Sequence, residues 1–397
     1  MATPGLKIGL LPRLIIGIAA GLAIGAAAAG IPALYPVMVL YATFHSLFGS
    51  LLTFSIPMII LGFIIPGIYS VGKGAGKMLP MAVLFAATFT LVAGFFAYFT
   101  TVGVAGIVVG ADGFVLGEYR EPASPITTIP IAPVMPTMTA LVFSFVVGIC
   151  LISFNEDSVI KRFFGEFRQI ISMYVSKVLI PLLPIHISAI FANMAFIGQA
   201  GDMVVSFFAT FVLIIVMHWF FLLVLYGIGG SLFGKSPLAL LKKMMPSYMT
   251  AVGTMSSAAT IPVNLINVKR LGVKEAVADM VVPLGATINL PGSTMSIVAC
   301  TVVVMYLYGM EVSLAILVPY IFALSILMIA APGVPGGAIV AAFAALEGVL
   351  GFDEIQLGVM AALYFAQDSL GTAVNVTSDG AMSLYINRLL GHKQLEA

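Results

Sequence analysis

The stretch Gln367-Asp-Ser-Leu-Gly-Thr-Ala-Val-Asn-Val-Thr-Ser-Asp379 decides how this chain is read. It sets two carboxylates, Asp368 and Asp379, with Thr372, Asn375, Thr377 and Ser378, inside a segment otherwise apolar enough to cross a bilayer. An ionised side chain at the bilayer centre costs about 2.5–3.5 kcal/mol on insertion scales. No Lys or Arg occurs between Lys274 and Arg388. A carboxylate pair with no cation of its own is offered to a ligand.

The composition supports a bilayer setting. Of 397 residues, 61% are hydrophobic and 8% charged, against about 25% charged in soluble domains. The chain is expected to be an all-α integral membrane protein with many spans. The net charge of +1 says nothing about partners, and with no basic run to suggest it a nucleic-acid partner is not expected. Cys150 and Cys300 lie in apolar runs and form neither a disulfide framework nor a CxxC metal pattern, and no organic cofactor is expected. The run from Leu14 to Ala29, behind Lys7 and Arg13, resembles a signal peptide but reads as an uncleaved first span. The glycines and alanines in it read as a packing face.

Working outward from the opening stretch, spanning runs occur at about 9–30, 37–70, 77–108, 134–154, 164–198 and 204–234. After them come two interrupted apolar segments, 244–268 around SSAATIP (Ser256–Pro262) and 313–349 around APGVPGG (Ala331–Gly337). Each precedes a longer segment with a polar break, 274–308 around Asn289 and 353–390 around Gly371 to Asn375. Basic loops (Lys73 and Lys77; Lys161, Arg162 and Arg168; Lys235, Lys242 and Lys243) alternate with acidic or uncharged ones, such as 111–133. The positive-inside rule makes the basic set and both termini cytoplasmic, in an inner or plasma membrane. Lys269, Arg270 and Lys274 then fall on the same side only if 244–268 enters and returns as a re-entrant hairpin. The segment 313–349 is too long for one crossing and is expected to enter from outside. The result is eight spans and two opposed re-entrant hairpins, with a cavity where their tips meet the broken helices.

The residue chemistry narrows the ligand. Asn289 and Asn375 each stand just past a glycine, in Gly285-Ala-Thr-Ile-Asn289 and Gly371-Thr-Ala-Val-Asn375, where a helix can unwind and turn carbonyls toward a cavity; carbonyls with the Asp379 carboxylate form an oxygen shell for an alkali cation. Asp368 stands eleven residues earlier, about three helical turns, and is left to pair with an ammonium. The SSAATIP tip supplies hydroxyls and N–H groups for one carboxylate, and PGVPGG supplies a flexible gate. Without a guanidinium nearby, a second substrate carboxylate would stay unpaired. One carboxylate plus one ammonium describes a small neutral amino acid.

At SSAATIPVN, PLGATINLPG, GVPGG and QDSLGTAVNVTSD the chain resembles the dicarboxylate/amino acid:cation symporter family, the sodium-coupled glutamate-transporter fold. The strings look most like its serine/threonine:sodium branch. The resemblance implies a homotrimer of elevator transporters, with a scaffold (1–76 and 134–200) and a moving transport domain (77–110 and 201–397), the 111–133 loop lying outside. It implies substrate contacts at Ser256, Ser257, Val334, Pro335, Gly336, Asp368, Thr372 and Asn375. It implies one sodium site of Gly285, Asn289 and Asn375 carbonyls with Asp379, and a second at Thr287, Ile329 and Ala331.

Departures from the family pattern carry information too. Acidic-substrate members have an arginine where Gly371 stands, so Gly371→Arg is expected to move specificity toward aspartate. The family's NMDGT reads NLPGS, with Pro291 in place of an aspartate assigned to a third sodium. The polar cluster of the third span aligns with Ala82, Phe85 and Ala86. These departures speak against a dicarboxylate substrate and a third sodium. Sodium or proton coupling to an acidic substrate is the alternative, then an ion channel. A serine hydrolase at Ser256 or Ser257 would lack a base at membrane depth. His45, His186 and His218, on separate spans, read as packing residues rather than a proton relay.

Overall fold

The computed structural model describes residues 10–71, 78–108, 121–155, 157–198, 200–331 and 336–390, and among them there are helices and no strand. Helix α1 (Leu10–Gly30) leads through a 3₁₀ turn at Pro32–Leu34 into α2 (Tyr35–Val71). Next come α3 (Met78–Gly103), the single turn α4 (Ala105–Val108) and α5 (Thr137–Ile152). Helix α6 (Val159–Tyr174) runs through a π turn at Val175–Leu179 into α7 (Ile180–Ile197), followed by α8 (Ala200–Phe233). The remaining helices pair up: α9 (Pro237–Thr254) with α10 (Ser257–Arg270), and α11 (Glu275–Ile288) with α12 (Pro291–Leu307). Then follow α13 (Leu314–Ala330) with α14 (Gly337–Leu350), and α15 (Glu354–Phe365) with α16 (Asp368–Leu389).

Six helical stretches among the described residues are long and apolar enough to cross a membrane: Pro12–Gly30, Pro32–Tyr69, Met78–Gly103, Val159–Ile197, Val205–Phe233 and Glu275–Leu307. The run expected to span at 134–154 forms only the sixteen residues of α5. At 1.5 Å per residue that is about 24 Å, short of a hydrocarbon core of about 30 Å.

Close backbone approach holds the first helix. A Cβ on Gly21 or Gly25 of α1 would meet the α7 backbone at Ser188 and Ala192, so this glycine stripe packs as expected of small residues between membrane helices. Helices α2, α5, α6 and α7 complete that group, while α3 and α9–α16 pack mainly on one another with α8 against α9, α12 and α16. The two groups touch where α13, α14 and α15 meet α2, α5 and α7.

Both interrupted segments are helical hairpins. The first turns at Met255, a non-glycine residue in left-handed conformation (φ 52°), and Ser256 caps α10 by accepting from the Ala259 N–H. Its arms, Pro237–Thr254 and Ser257–Arg270, extend beyond the expected 244–268. The second hairpin pairs α13 with α14; Val334 and Pro335, expected at its tip, lie outside the described residues.

One expected helix break is where the sequence puts it and one is not. Between α11 and α12, Asn289 is extended (φ −105°, ψ 90°). In the last segment the chain breaks at Ala366–Gln367, not at Gly371 to Asn375, and α16 runs unbroken from Asp368 to Leu389. The buried serines are accommodated there because their hydroxyls bond back to their own helix, Ser378 to the Asn375 carbonyl (2.7 Å) and Ser383 to the Asp379 carbonyl (2.7 Å). On α3, Ala82 and Ala86 are wholly buried and Phe85 packs on the Tyr385 ring, 5.5 Å between centroids.

Candidate functional site

Helix α16 lies among α8, α9, α10, α11 and α12, and both aspartates are buried. Because the helix is continuous, the eleven-residue spacing holds Asp368 and Asp379 about three turns apart on one face. Among the described residues neither pairs with a Lys or Arg; the ion pairs there join half-buried Lys269 to Glu275 (2.6 Å) and Asp279 (2.9 Å). Those two partners also raise the Lys269 pKa.

Asp368 opens α16, where a helix N-terminus favours negative charge. Each of its oxygens accepts from a neutral donor, Oδ2 from the Gly336 N–H (2.7 Å) and Oδ1 from the Tyr364 hydroxyl (2.8 Å). Gly336 suits this position: its φ is 74°, and a Cβ there would have to displace the Phe365 ring. The second hairpin is therefore latched directly onto the carboxylate expected to take an ammonium.

Asp379 is surrounded by carboxamides. Asn289 Nδ2 donates to its Oδ1 (2.9 Å) and to Ser378 Oγ (2.8 Å), and Asn264 Nδ2 donates to its Oδ2 (3.3 Å). Gly285 lets α11 approach, because a Cβ there would strike the Asp379 carboxylate. Asn264 Oδ1, Asn289 Oδ1 and Thr377 Oγ1 are buried without a hydrogen-bond partner. Buried acceptors normally find a donor. The two carboxamide oxygens, left over on side chains that touch the Asp379 carboxylate, fit a hard cation such as sodium, whereas Thr377, two residues before Asp379, points to another face of α16.

Asn375, four residues before Asp379 on the same face of α16, is engaged elsewhere. Its Oδ1 accepts from the backbone N–H groups of Gly292 (2.8 Å) and Ser293 (3.2 Å), and its Nδ2 donates to Ser293 Oγ (2.9 Å). It thus caps the start of α12 from a neighbouring helix, and its own carbonyl lies inside α16 and accepts from Ser378. Gly371 abuts the same turn: an added Cβ would lie 3.3 Å from Ser293 Cα and N. The residue expected to mark the absence of an arginine is a packing glycine at a helix crossing.

The other expected residues are distributed around this centre. Ser256 and Ser257 begin α10, with Ser257 buried; Thr372 is buried on α16. Thr287 is exposed on the last turn of α11, its hydroxyl bonded to the Leu284 carbonyl (2.7 Å). Ile329 and Ala331 lie at the end of α13, where Ala331 turns extended, and α11 and α13 are in contact.

Several residues were missed from sequence: Asn264, Tyr364, Ser293 and Tyr226, which donates to the Thr377 carbonyl (2.8 Å); His218, expected only to pack, has its Nε2 3.0 Å from the Gly292 carbonyl. Only Asn264 left a signal, as a polar residue two turns into an apolar hairpin arm. His45 and His186 stack on each other (4.7 Å between centroids, 7°), while His218 lies against the Gly292 carbonyl and Ser296.

Comparison with known proteins agrees with this architecture. The profile of the sodium:dicarboxylate symporter family matches residues 10–389. A serine/threonine transporter SstT of Acinetobacter baumannii (strain AYE) is 27% identical over 246 residues, 60% of this chain and 60% of that relative's length. One of the same name from Acinetobacter baylyi is 32% identical over 151 residues, covering 36% and 37%. The matches thus span 60% or less of these relatives. With its long apolar helices the chain is an integral membrane protein, and with its profile matched almost end to end it belongs to the sodium:dicarboxylate symporter family.

Proposed function

We propose that the chain is a secondary active symporter of small neutral amino acids, serine and threonine favoured, driven by sodium. The observation that carries this reading is the pair of buried aspartates on α16 with no cationic side chain on either. Asp368 takes the substrate ammonium. The hydroxyl and N–H groups at Ser256 and Ser257 take its carboxylate, and Thr372 lines the same face. Sodium sits on Asp379 beside Gly285 and Asn289, with Thr287, Ile329 and Ala331 as a second position. The names of the matched relatives support the choice of substrate.

The Gly336-to-Asp368 hydrogen bond supports a gating role for the second hairpin, because an ammonium and the hairpin tip compete for one carboxylate. The separate packing of α1, α2 and α5–α7 supports an elevator motion of 77–110 and 201–397 against 1–76 and 134–200. In this reading the hairpins are re-entrant, the spans number eight with the short α5 counted among them, both termini are cytoplasmic and the assembly is a trimer. The purified protein in liposomes takes up labelled serine under an inward sodium gradient. Equal uptake with a proton gradient alone overturns the sodium assignment, and preference for aspartate over serine overturns the substrate.

A further inference from the structure

We propose that Asn264, on the inner arm of the first hairpin, is a ligand of the coupled cation, a role that rests on the sodium reading above. Its carboxamide reaches α16 at two points: Nδ2 lies 3.3 Å from Asp379 Oδ2 and 3.1 Å from the Val376 carbonyl. Its Oδ1 is buried with no partner. A half-turn about Cβ–Cγ exchanges the two atoms and brings that oxygen to the position Nδ2 holds. A cation of sodium or calcium size keeps its oxygens at about 2.3–2.6 Å, so neighbouring ligands at right angles stand about 3.3–3.7 Å apart. Asn264 Oδ1 then stands close to the spacing of neighbouring ligands from both Asp379 Oδ2 and the Val376 carbonyl, and the leftover oxygen gains a partner in the cation.

The consequence is coupling through a single short helix. Asn264 stands two turns from Ser257, so the ion ligand and the expected substrate-facing tip ride together on α10. A cation on Asp379 braces α10 against α16 and with it the hairpin tip.

The test uses thermal unfolding of the full chain in detergent across sodium concentrations, with choline as replacement. Trp219, the only tryptophan, reports unfolding, because it packs on Tyr248 of α9 (5.1 Å). Wild type is stabilised by sodium, and Asp379→Asn abolishes the response. Asn264→Ala raises the sodium concentration for half-stabilisation by about tenfold or more, the usual range for a residue of a metal site's inner or outer shell. Asn267→Ala is the control, since Asn267 is equally buried one turn on but bonds Ser247 (2.9 Å) and should leave the sodium midpoint unchanged. Asn264→Asp keeps an oxygen and loses the N–H donor, so it should stay within about threefold of wild type; it also serves if the alanine variant fails to fold.

A sodium midpoint unchanged by Asn264→Ala, or shifted equally by Asn267→Ala, overturns the assignment while sodium coupling stands. Loss in Asn264→Asp as large as in Asn264→Ala overturns it as well, by making the N–H the group that matters. No sodium response in wild type refutes the coupling itself.

Discussion

Replacing Asn375 by alanine separates a structural role from a substrate-binding one. The side chain supplies the acceptor for two N–H groups at the start of α12 and a donor to Ser293 Oγ. Gly292 and Ser293 are buried, so water cannot replace the lost acceptor. An orphaned buried donor costs about 1–3 kcal/mol, and two give about 2–6 kcal/mol of destabilisation. Asn375→Asp keeps the acceptor and adds charge at a helix N-terminus, where it is favoured. It should recover at least half of the loss. Thr372→Val on the same face should change stability by less than about 1 kcal/mol, because it breaks none of these bonds. Equilibrium unfolding in mixed micelles, followed through Trp219, measures all three. If Asn375→Ala unfolds within about 1 kcal/mol of wild type yet loses serine uptake, the cap is not what Asn375 provides.

Two further substitutions probe glycines whose space is already taken. Gly336→Ala must hold a left-handed backbone at a cost of about 1–2 kcal/mol and displace the Phe365 ring, so the second hairpin should close less readily. Apparent serine affinity should fall by about tenfold or more while sodium stabilisation persists; unchanged affinity would remove the latch on Asp368. Gly371→Arg, expected from sequence to convert specificity, should instead force α12 off α16 and unfold more easily than Gly371→Ala. A well-folded Gly371→Arg protein that prefers aspartate would show that the crossing gives way.

What the sequence determined by itself was composition-driven: an all-helical membrane chain, two hairpins and a carboxylate pair without a cation. Apolar length, the alternation of basic loops and the cost of a buried charge are local properties, legible residue by residue. The glycine stripe of α1 and the break at Asn289 were legible for the same reason. Only the tertiary structure decided which way each polar side chain faces. The glycine before Asn375 read as a point of unwinding, but packing against α12 lets Gly371 sit in a regular helix and moves the break to Ala366–Gln367. Tyr364 and Gly336 meet at Asp368, and Asn264 and Asn289 at Asp379, from separate helices. A single buried carboxylate can draw its partners from several segments at once. Their convergence is a property of the packed helices and of no stretch of sequence alone.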